Sequence, residues 1–226
     1  MFVHVPSRRK PRPAVATYLL VAISVAMFLI WSVQSPEVRA RWVEWFGVLP
    51  SDWIDVTRQA PKMLVLHVLS LATALFVHVG GLHLLGNLVF LLVFGASAEK
   101  PLGAFRLLAL FLLCGMAANL VGAWWFPAQT APIVGASGAV SALVGAYATL
   151  FPRSRLGLVL PLGAFFEFVR MPAYSLIGLW VLVQALMFVL TPGGSPIAWP
   201  VHLAGFACGV IYALFSRDAI ARRMRN

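Results

Sequence analysis

The chain has 226 residues, of which 61% are hydrophobic and 11% are charged. A soluble domain has about 45–50% apolar and about 25% charged residues, so this composition excludes an ordinary soluble protein and indicates a polytopic membrane protein. The formal net charge of +10 would suggest a nucleic-acid partner in a soluble protein. In a membrane protein it reflects the Lys and Arg residues of cytoplasmic loops, so no nucleic-acid partner is expected.

The N-terminal region combines a basic stretch with an apolar one. Residues 1–13 contain several Arg and Lys residues, and ~20 apolar residues follow without a small-residue cleavage site. We therefore expect a retained first helix instead of a removed signal peptide. The two cysteines, Cys114 and Cys208, lie in apolar runs and are expected to be membrane-embedded thiols.

Six segments are long and apolar enough to span a bilayer, which requires ~20 mainly apolar residues. They predict an all-α, polytopic bundle of six transmembrane helices that lies in a lipid bilayer. The predicted spans are approximately 14–33, 80–98, 103–126, 134–151, 172–190 and 197–216.

Two further apolar segments are interrupted by polar residues. The segment 61–79 contains a lysine and two histidines, and we expect it to be a loop that dips into the membrane interface. It belongs to the outer loop 34–79. The segment 156–171 has a central proline and a Glu–Arg pair, and we expect it at the inner face.

The distribution of charge predicts the orientation. With six spans, most of the 17 basic residues fall on one side, which the positive-inside rule makes cytoplasmic. The expected organisation is a basic cytoplasmic N-terminus (1–13), a six-helix intramembrane domain (14–216) and a basic cytoplasmic tail (217–226). Both termini are then cytoplasmic.

Three predicted spans carry polar residues at one depth. The second, fourth and sixth spans all enter from the outer face. At ~1.5 Å per residue, the polar residues near their starts lie within roughly 10 Å of the outer boundary. They are His83, Asn87, Ser137 and His202. Polar groups are costly inside a membrane, so a shared depth indicates a shared functional role.

A serine and a histidine at the same depth suggest nucleophilic catalysis. The imidazole of His202 can accept the hydroxyl proton of Ser137, whose oxygen then attacks a carbonyl. The side chains of His83 and Asn87 can donate hydrogen bonds to the resulting oxyanion. No predicted span has an acidic residue at this depth, so the arrangement would be a Ser–His dyad without the usual acid.

Each of these residues also has a structural interpretation. Ser137, taken alone with its neighbours Gly135 and Gly138, is more typical of a small-residue packing face between membrane helices. Gly205 and Gly209 have GxxxG spacing, for which helix packing is the favoured role. The shared depth favours function for the polar set, because independent packing residues need not lie at one level.

Three motifs in order resemble the rhomboid family of intramembrane serine proteases, particularly its bacterial six-span members. They are H-x-x-x-N in HLLGN (His83, Asn87), G-x-S-G in GASG (Gly135, Ser137, Gly138) and H-x-x-G-x-x-x-G in HLAGFACG (His202, Gly205, Gly209). The resemblance also includes a histidine five positions before the first motif, here His78. It covers residues 73–216.

The resemblance implies specific roles. Ser137 would be the nucleophile and His202 the general base, while His83, Asn87 and the backbone N–H of Ser137 would form the oxyanion hole. His78 would organise the first loop. The glycines of the last span would allow close approach to the fourth. The implied substrates are membrane-spanning proteins cut near their outer boundary, without a metal or other cofactor.

Two positions depart from the pattern of this family. Members often carry a Trp–Arg pair before the threonine matched by Thr73, where this chain has Leu69 and Ser70. Many members also have an aromatic residue four positions after the nucleophile, stacked on the catalytic histidine. Here that position is Ser141, so the orientation of His202 must have another basis.

Two other functions are compatible with a helical membrane bundle. One is a non-catalytic rhomboid-like protein that binds or escorts membrane proteins, although such proteins usually lack the serine or the histidine. The other is a small transporter, although transport sites tend to lie near the bilayer midplane and in internal repeats. An integral multi-pass protease of a bacterial inner membrane is the favoured interpretation.

Overall fold

The computed structural model describes residues 13–54, 61–127, 129–162, 165–191 and 198–225. These residues are mainly helical, with one antiparallel two-stranded hairpin. In chain order the elements are α1 (Val15–Ser32), α2 (Pro36–Phe46), α3 (Pro50–Ile54), α4 (Pro61–Thr73), α5 (Gly81–Leu102), α6 (Ala104–Trp125), α7 (Ser137–Leu150), β1 (Arg155–Leu162), β2 (Phe165–Pro172), α8 (Ala173–Leu190) and α9 (Trp199–Arg225). A 3-10 turn, Ala74–Phe76, follows α4, and α5 and α6 contain the π-helical turns Leu91–Gly95 and Leu110–Cys114.

The bundle confirms the predicted all-α, polytopic membrane fold. Among the described residues, 5 helices are long and apolar enough to cross a membrane: α1, α5, α6, α8 and α9. The remaining predicted span, 134–151, contains α7, which has only 14 residues. At ~1.5 Å per residue α7 is about 21 Å long, shorter than the ~30 Å hydrocarbon core of a bilayer.

The short helix α7 lies at the centre of the bundle. Every residue from 138 to 147 is buried, as expected for a helix that is apolar on all sides. Helix α7 packs against α5, α6, α8 and α9. Because protein surrounds it, α7 does not need the length that contact with lipid on all sides would require.

Glycines bring the backbones of α7 and α9 together. A Cβ atom on Gly205 would overlap the carbonyl oxygen of Gly138, and one on Gly209 would overlap the carbonyl oxygen of Ala142. From the other helix, a Cβ on Gly145 would overlap the carbonyl oxygen of Phe206. Small residues let membrane helices approach this closely, so these glycines determine how α9 meets α7.

The outer loop 34–79 contains three helices, although the sequence analysis expected its segment 61–79 to be a loop. Each of α2, α3 and α4 begins with a proline, whose fixed φ angle and missing N–H suit the first position of a helix. The Oγ of Ser35 accepts a hydrogen bond from Val38 N–H and caps α2. The packing of Leu71 and Leu75 into the bundle favours helical structure in segment 61–79.

The segment 156–171 forms most of the β1–β2 hairpin, which the sequence analysis did not anticipate. The register pairs Arg155 with Pro172 and Leu162 with Phe165. The segment is rich in β-branched and aromatic residues (LVL, FFEFV), which favour strands over helices. The hairpin follows the end of α7 and lies at the opposite end of that helix from Ser137.

Glu99, near the end of α5, is buried against the start of α1. Its carboxylate accepts hydrogen bonds from Ala16 N–H and Thr17 N–H, each at 2.9 Å, and from Thr17 Oγ1 at 2.7 Å. The first N–H groups of a helix have no partner within the helix, and the positive end of the helix dipole favours an anion there. Glu99 therefore caps α1 from another helix, although it lies just beyond the predicted span 80–98.

We expect Glu99→Gln to lower the free energy of unfolding by about 2 kcal/mol. The amide offers one acceptor oxygen in place of two and turns an NH₂ group towards backbone donors that need an acceptor. Unfolding titrations in mixed detergent micelles measure the change. Glu37→Gln, on the exposed surface of α2, is the matched control. An equal response of the two variants would contradict the capping role of Glu99.

Candidate functional site

Ser137 is the first residue of α7 and follows a backbone segment that several hydrogen bonds hold in place. Ile133 and Val48 exchange backbone hydrogen bonds of 3.0 and 2.8 Å, and Gly135 N–H donates to the carbonyl oxygen of Ala74 at 2.8 Å. Gly135 has a φ of +112°, which an L side chain rarely adopts. The backbone N–H groups at the start of α7 have no acceptor four residues earlier in the helix, so the Ser137 N–H is available to a ligand.

His83, in the first turn of α5, lies against this turn. A Cβ atom on Gly135 would collide with the imidazole of His83, so the absence of a side chain at Gly135 leaves the space that the ring occupies. The ring of His78 lies beside the ring of His83, with 5.1 Å between their centroids. The His83 ring is thereby positioned beside the backbone that leads into Ser137.

Asn87 lies one turn further along α5 and is buried. Its Nδ2 donates to the carbonyl oxygen of His83 at 2.9 Å. An amide nitrogen carries two hydrogens, so one N–H remains for another acceptor. Because His83 and Asn87 are four residues apart in one helix, they share a helix face, and both line the same cavity.

His202, in the first turn of α9, contacts a glutamine on the neighbouring helix α8. Its Nδ1 lies 2.7 Å from Oε1 of Gln184, on α8. The ring of Trp199 meets the His202 ring edge-to-face, with 5.9 Å between centroids and an interplanar angle of 90°. These two contacts orient the His202 ring, although position 141 has a serine and no aromatic side chain.

Two adjoining cavities bring the predicted polar residues together. The smaller cavity, of about 240 Å³, is lined by His83, Asn87, Ser137 and His202, and extends towards the apolar residues Phe90 and Trp180. The larger cavity, of about 590 Å³, shares His83, Ser137 and His202 and includes loop residues such as Gln129 and Pro132. Within the described part of the chain, the Ser137 hydroxyl has no hydrogen-bond partner, so its oxygen is free to meet a ligand.

Ser141 has a local role. Its hydroxyl donates to the carbonyl oxygen of Ser137 at 2.7 Å, and the residue is buried. A serine at this position is too small to reach His202 in the way that an aromatic ring would. It leaves part of the smaller cavity open, which connects the space around Ser137 with the space around Trp180.

The outer loop is held without a Trp–Arg pair. Leu69 is exposed, and the Ser70 hydroxyl donates to the carbonyl oxygen of His67 within the same helix. Among the described residues, Thr73 joins α4 to α2 within this loop, and Asn119 joins the loop to the bundle. Thr73 Oγ1 donates to the carbonyl oxygen of Phe46 at 2.8 Å, and Asn119 Nδ2, on α6, donates to that of Leu71 at 3.0 Å.

His78 connects the outer loop to the turn before Ser137. Its Nε2 accepts a 3.5 Å hydrogen bond from Ala136 N–H, and its Nδ1 lies 3.4 Å from the carbonyl oxygen of Phe76. Burial and, to a smaller extent, the charge of His83 lower the pKa of His78 from 6.5 to about 4, and the Phe76 carbonyl opposes this shift. The neutral ring can accept from Ala136 at Nε2 while it donates from Nδ1.

We expect the protein to lose stability as the pH falls from about 6.5 to about 4, because the unfolded state then binds a proton that buried His78 does not. The pKa difference corresponds to about 3 kcal/mol at most. Unfolding free energies at about pH 7.5 and about pH 5 measure the effect, with His78→Gln as the comparison. A pH dependence unchanged in His78→Gln would contradict this assignment.

Comparison with known proteins points to one family. The profile of the Rhomboid domain matches residues 66–218. Over its full length, the chain is 28% identical to "Rhomboid protein 1, mitochondrial" of Saccharomyces cerevisiae, covering 61% of that protein. Over 49% of its length the chain is 34% identical to "Rhomboid-like protein 11, chloroplastic" of Arabidopsis thaliana, and the match covers 42% of that protein. Over 90% of its length it is 24% identical to "Rhomboid-related protein 2" of Mus musculus, and the match covers 65% of that protein.

The chain therefore spans 42% to 65% of the length of these three relatives. All three relatives are eukaryotic, and the names of two of them give a mitochondrial or a chloroplast location. These names do not support the bacterial inner membrane, or the bacterial six-span type, that the sequence analysis favoured. The apolar helices of the chain indicate an integral membrane protein.

Proposed function

The chain belongs to the rhomboid family, and from that premise we propose that it is a serine endopeptidase that hydrolyses peptide bonds in or near the transmembrane segments of other membrane proteins. One observation carries the proposal: Ser137 and His202, from two different helices, line the same cavity together with His83 and Asn87. A packing role for a small serine would not require two histidines and an amide around one cavity.

We assign the nucleophile to Ser137 and the general base to His202. The proton of the Ser137 hydroxyl passes to Nε2 of His202, and the oxygen attacks the carbonyl carbon of the substrate peptide bond. The resulting imidazolium returns the proton to the leaving amine, which breaks the C–N bond and leaves an ester on Ser137. A water molecule, deprotonated by His202, then hydrolyses the ester and restores the hydroxyl.

Three groups are suited to stabilise the oxyanion. The Ser137 N–H is at the N-terminus of α7, where the helix dipole favours negative charge. The His83 ring lies beside the turn that leads to Ser137, and Asn87 retains one amide N–H after its bond to the His83 carbonyl. Preorganised donors of this kind commonly contribute about 10²–10³-fold each to the rate.

The two cavities suit a substrate that comes from the membrane and a water molecule that comes from the aqueous side. The smaller cavity extends between α5 and α8 to apolar residues, and the larger one is lined partly by loop residues. A helical substrate hides its carbonyl groups in hydrogen bonds and must unwind before attack. We therefore propose single-span membrane proteins as substrates, cut near the outer boundary of the membrane.

The shared end of three helices supports the proposed orientation. The first turns of α5, α7 and α9 all contribute to one site, so these helices start at the same end of the bundle. We propose that this end faces outwards, that six helices form the domain of residues 14–216, and that the basic termini, 1–13 and 217–226, are cytoplasmic. The positive-inside rule supports this assignment.

Cleavage by the purified wild-type protein tests the proposal. The protein is reconstituted in liposomes with a single-span substrate, and mass spectrometry locates the cut. We expect a cut near the outer boundary and labelling of Ser137 by a fluorophosphonate, which reacts with activated serines. Folded protein that neither cuts nor is labelled would contradict the proposal and favour a non-catalytic membrane-protein binder.

A further inference from the structure

Helix α8 presents mainly apolar side chains to its surroundings and has a narrow buried face. Its buried residues are Ala173, Ile177 and Gln184, and large exposed side chains such as Leu182 and Leu186 lie on the opposite side. Gln184 is only 7% exposed. A buried amide in a membrane helix is costly unless it is hydrogen-bonded, so the partner of Gln184 explains its presence.

The partner of Gln184 is the histidine proposed as the general base. Oε1 of Gln184 lies 2.7 Å from Nδ1 of His202. A carbonyl oxygen only accepts hydrogen bonds, so this contact requires the proton on Nδ1. The other ring nitrogen, Nε2, then has its lone pair free to accept the proton of Ser137. A neutral imidazole has only one such tautomer, so the bond to Gln184 selects the form that can act as a base.

A second contact between α8 and α9 supports this geometry. Trp199 Nε1 donates to Oγ1 of Thr191 at 3.1 Å, and Thr191 donates in turn to the carbonyl oxygen of Met187 at 2.6 Å. Thr191 follows Gln184 by seven residues, about two turns of helix. Helix α8 therefore holds the first turn of α9 at two levels, and the Trp199 ring rests edge-on against His202.

Resting on the proposed function, we propose that Gln184 is a positioning residue that sets the tautomer and orientation of His202. Its place is that of the acid in a Ser–His–Asp triad, but the group is neutral. Ser141, too short to stack on the imidazole, lines the smaller cavity together with Gln184. The nucleophile, the base and its positioning residue then come from three helices, α7, α9 and α8.

Replacing the acceptor without changing the size of the side chain tests this role. Gln184→Met keeps the length and flexibility but removes the hydrogen bond. We expect kcat to fall about 10- to 100-fold with KM changed less than about threefold, because a misplaced catalytic group slows the chemical step more than it weakens substrate binding. Gln184→Asn, about one methylene shorter, should resemble the Met variant.

The charged variant gives a readout that packing alone would not change. In Gln184→Glu the carboxylate accepts from Nδ1–H and favours the imidazolium. We expect activity to be retained, with the acidic limb of the pH–rate profile shifted to higher pH by about one unit or more. A purely structural role predicts the reverse order, with the buried charge of the Glu variant more damaging than the Met side chain.

A spectroscopic measurement separates this inference from the proposed function. ¹⁵N NMR of labelled histidine in the inactive Ser137→Ala background reports the tautomer of His202 without requiring cleavage. We expect the Nδ1–H tautomer, and its loss in Gln184→Met. Thr149→Val is the matched control, because the Thr149 hydroxyl donates to the Gly145 carbonyl of its own helix, and it should change neither kcat nor the tautomer.

The outcomes are distinct. An unchanged tautomer and pH profile in folded Gln184→Met would overturn the positioning role, as would a kcat loss that only follows the loss of folded protein. If the wild-type protein cleaves no substrate but the Nδ1–H tautomer depends on Gln184, the proposed protease activity fails while the assigned contact stands.

Discussion

Ser137→Ala and His202→Ala are each expected to reduce cleavage of a single-span substrate by about 10⁴-fold or more. Without the hydroxyl no acyl-enzyme forms, and without the imidazole nothing accepts the hydroxyl proton or protonates the leaving amine. The double variant should be no slower than either single variant, because the two residues act as a unit. Single-turnover kinetics in liposomes measure all three proteins.

The controls address folding and the choice of serine. Ser97→Ala removes a half-buried hydroxyl that donates to the Val93 carbonyl within α5, and it should cleave at the wild-type rate. Labelling by a fluorophosphonate should be absent in Ser137→Ala and present in Ser97→Ala. Cleavage that survives in Ser137→Ala would refute the assignment of the nucleophile.

The second large effect concerns the contact between α7 and α9. We expect Gly209→Ala to destabilise the fold by about 3 kcal/mol or more, because the added methyl group would overlap the backbone carbonyl of Ala142. A flexible side chain could move aside, but a helical carbonyl cannot move without separating the two helices. Separation would also move His202 away from Ser137, so activity should fall in the fraction that remains folded.

Gly178→Ala is the matched control for this substitution. Gly178 lies on α8, and a Cβ atom there would meet nothing within 4 Å. Alanine is the better helix former by up to ~1 kcal/mol, so this variant should be as stable as the wild-type protein or slightly more so. Unfolding titrations in mixed micelles compare the two. Equal stability of Gly209→Ala and Gly178→Ala would show that the close helix contact does not carry the fold.

The argument from membrane depth selected Ser137 and His202 but missed Gln184. It considered only the spans that enter from the outer face. Gln184 lies six residues before the end of α8, about 9 Å at ~1.5 Å per residue, which is the same depth approached from the other direction. Applied to every span, the argument would have included Gln184.

Other features had only a weak signal in the sequence, or none. Glu99 lies just beyond the predicted span 80–98, and nothing in its neighbourhood indicates that α1 begins beside it. Helix α4 had a local signal in its initial proline, but the mixture of polar and apolar residues in the segment 61–79 obscured it. The β1–β2 hairpin had favourable strand composition, but its segment was assigned from its proline and its Glu–Arg pair.

The sequence by itself determined that this protein lies in a membrane, approximately where its membrane helices are, and which residue types are available for chemistry. These follow from apolar length and from local spacing, because the bilayer sets the length of a spanning helix and the helix sets which residues share a face. Only the tertiary structure decided which side chains meet: Glu99 with the start of α1, Asn119 with the outer loop, and Gln184 with His202. Such contacts join residues that are distant in the chain. They depend on how each helix is rotated and how far it lies from its neighbours. Packing between whole helices, including the close glycine contacts, sets this geometry, and the local pattern around each residue does not reveal which side chains meet.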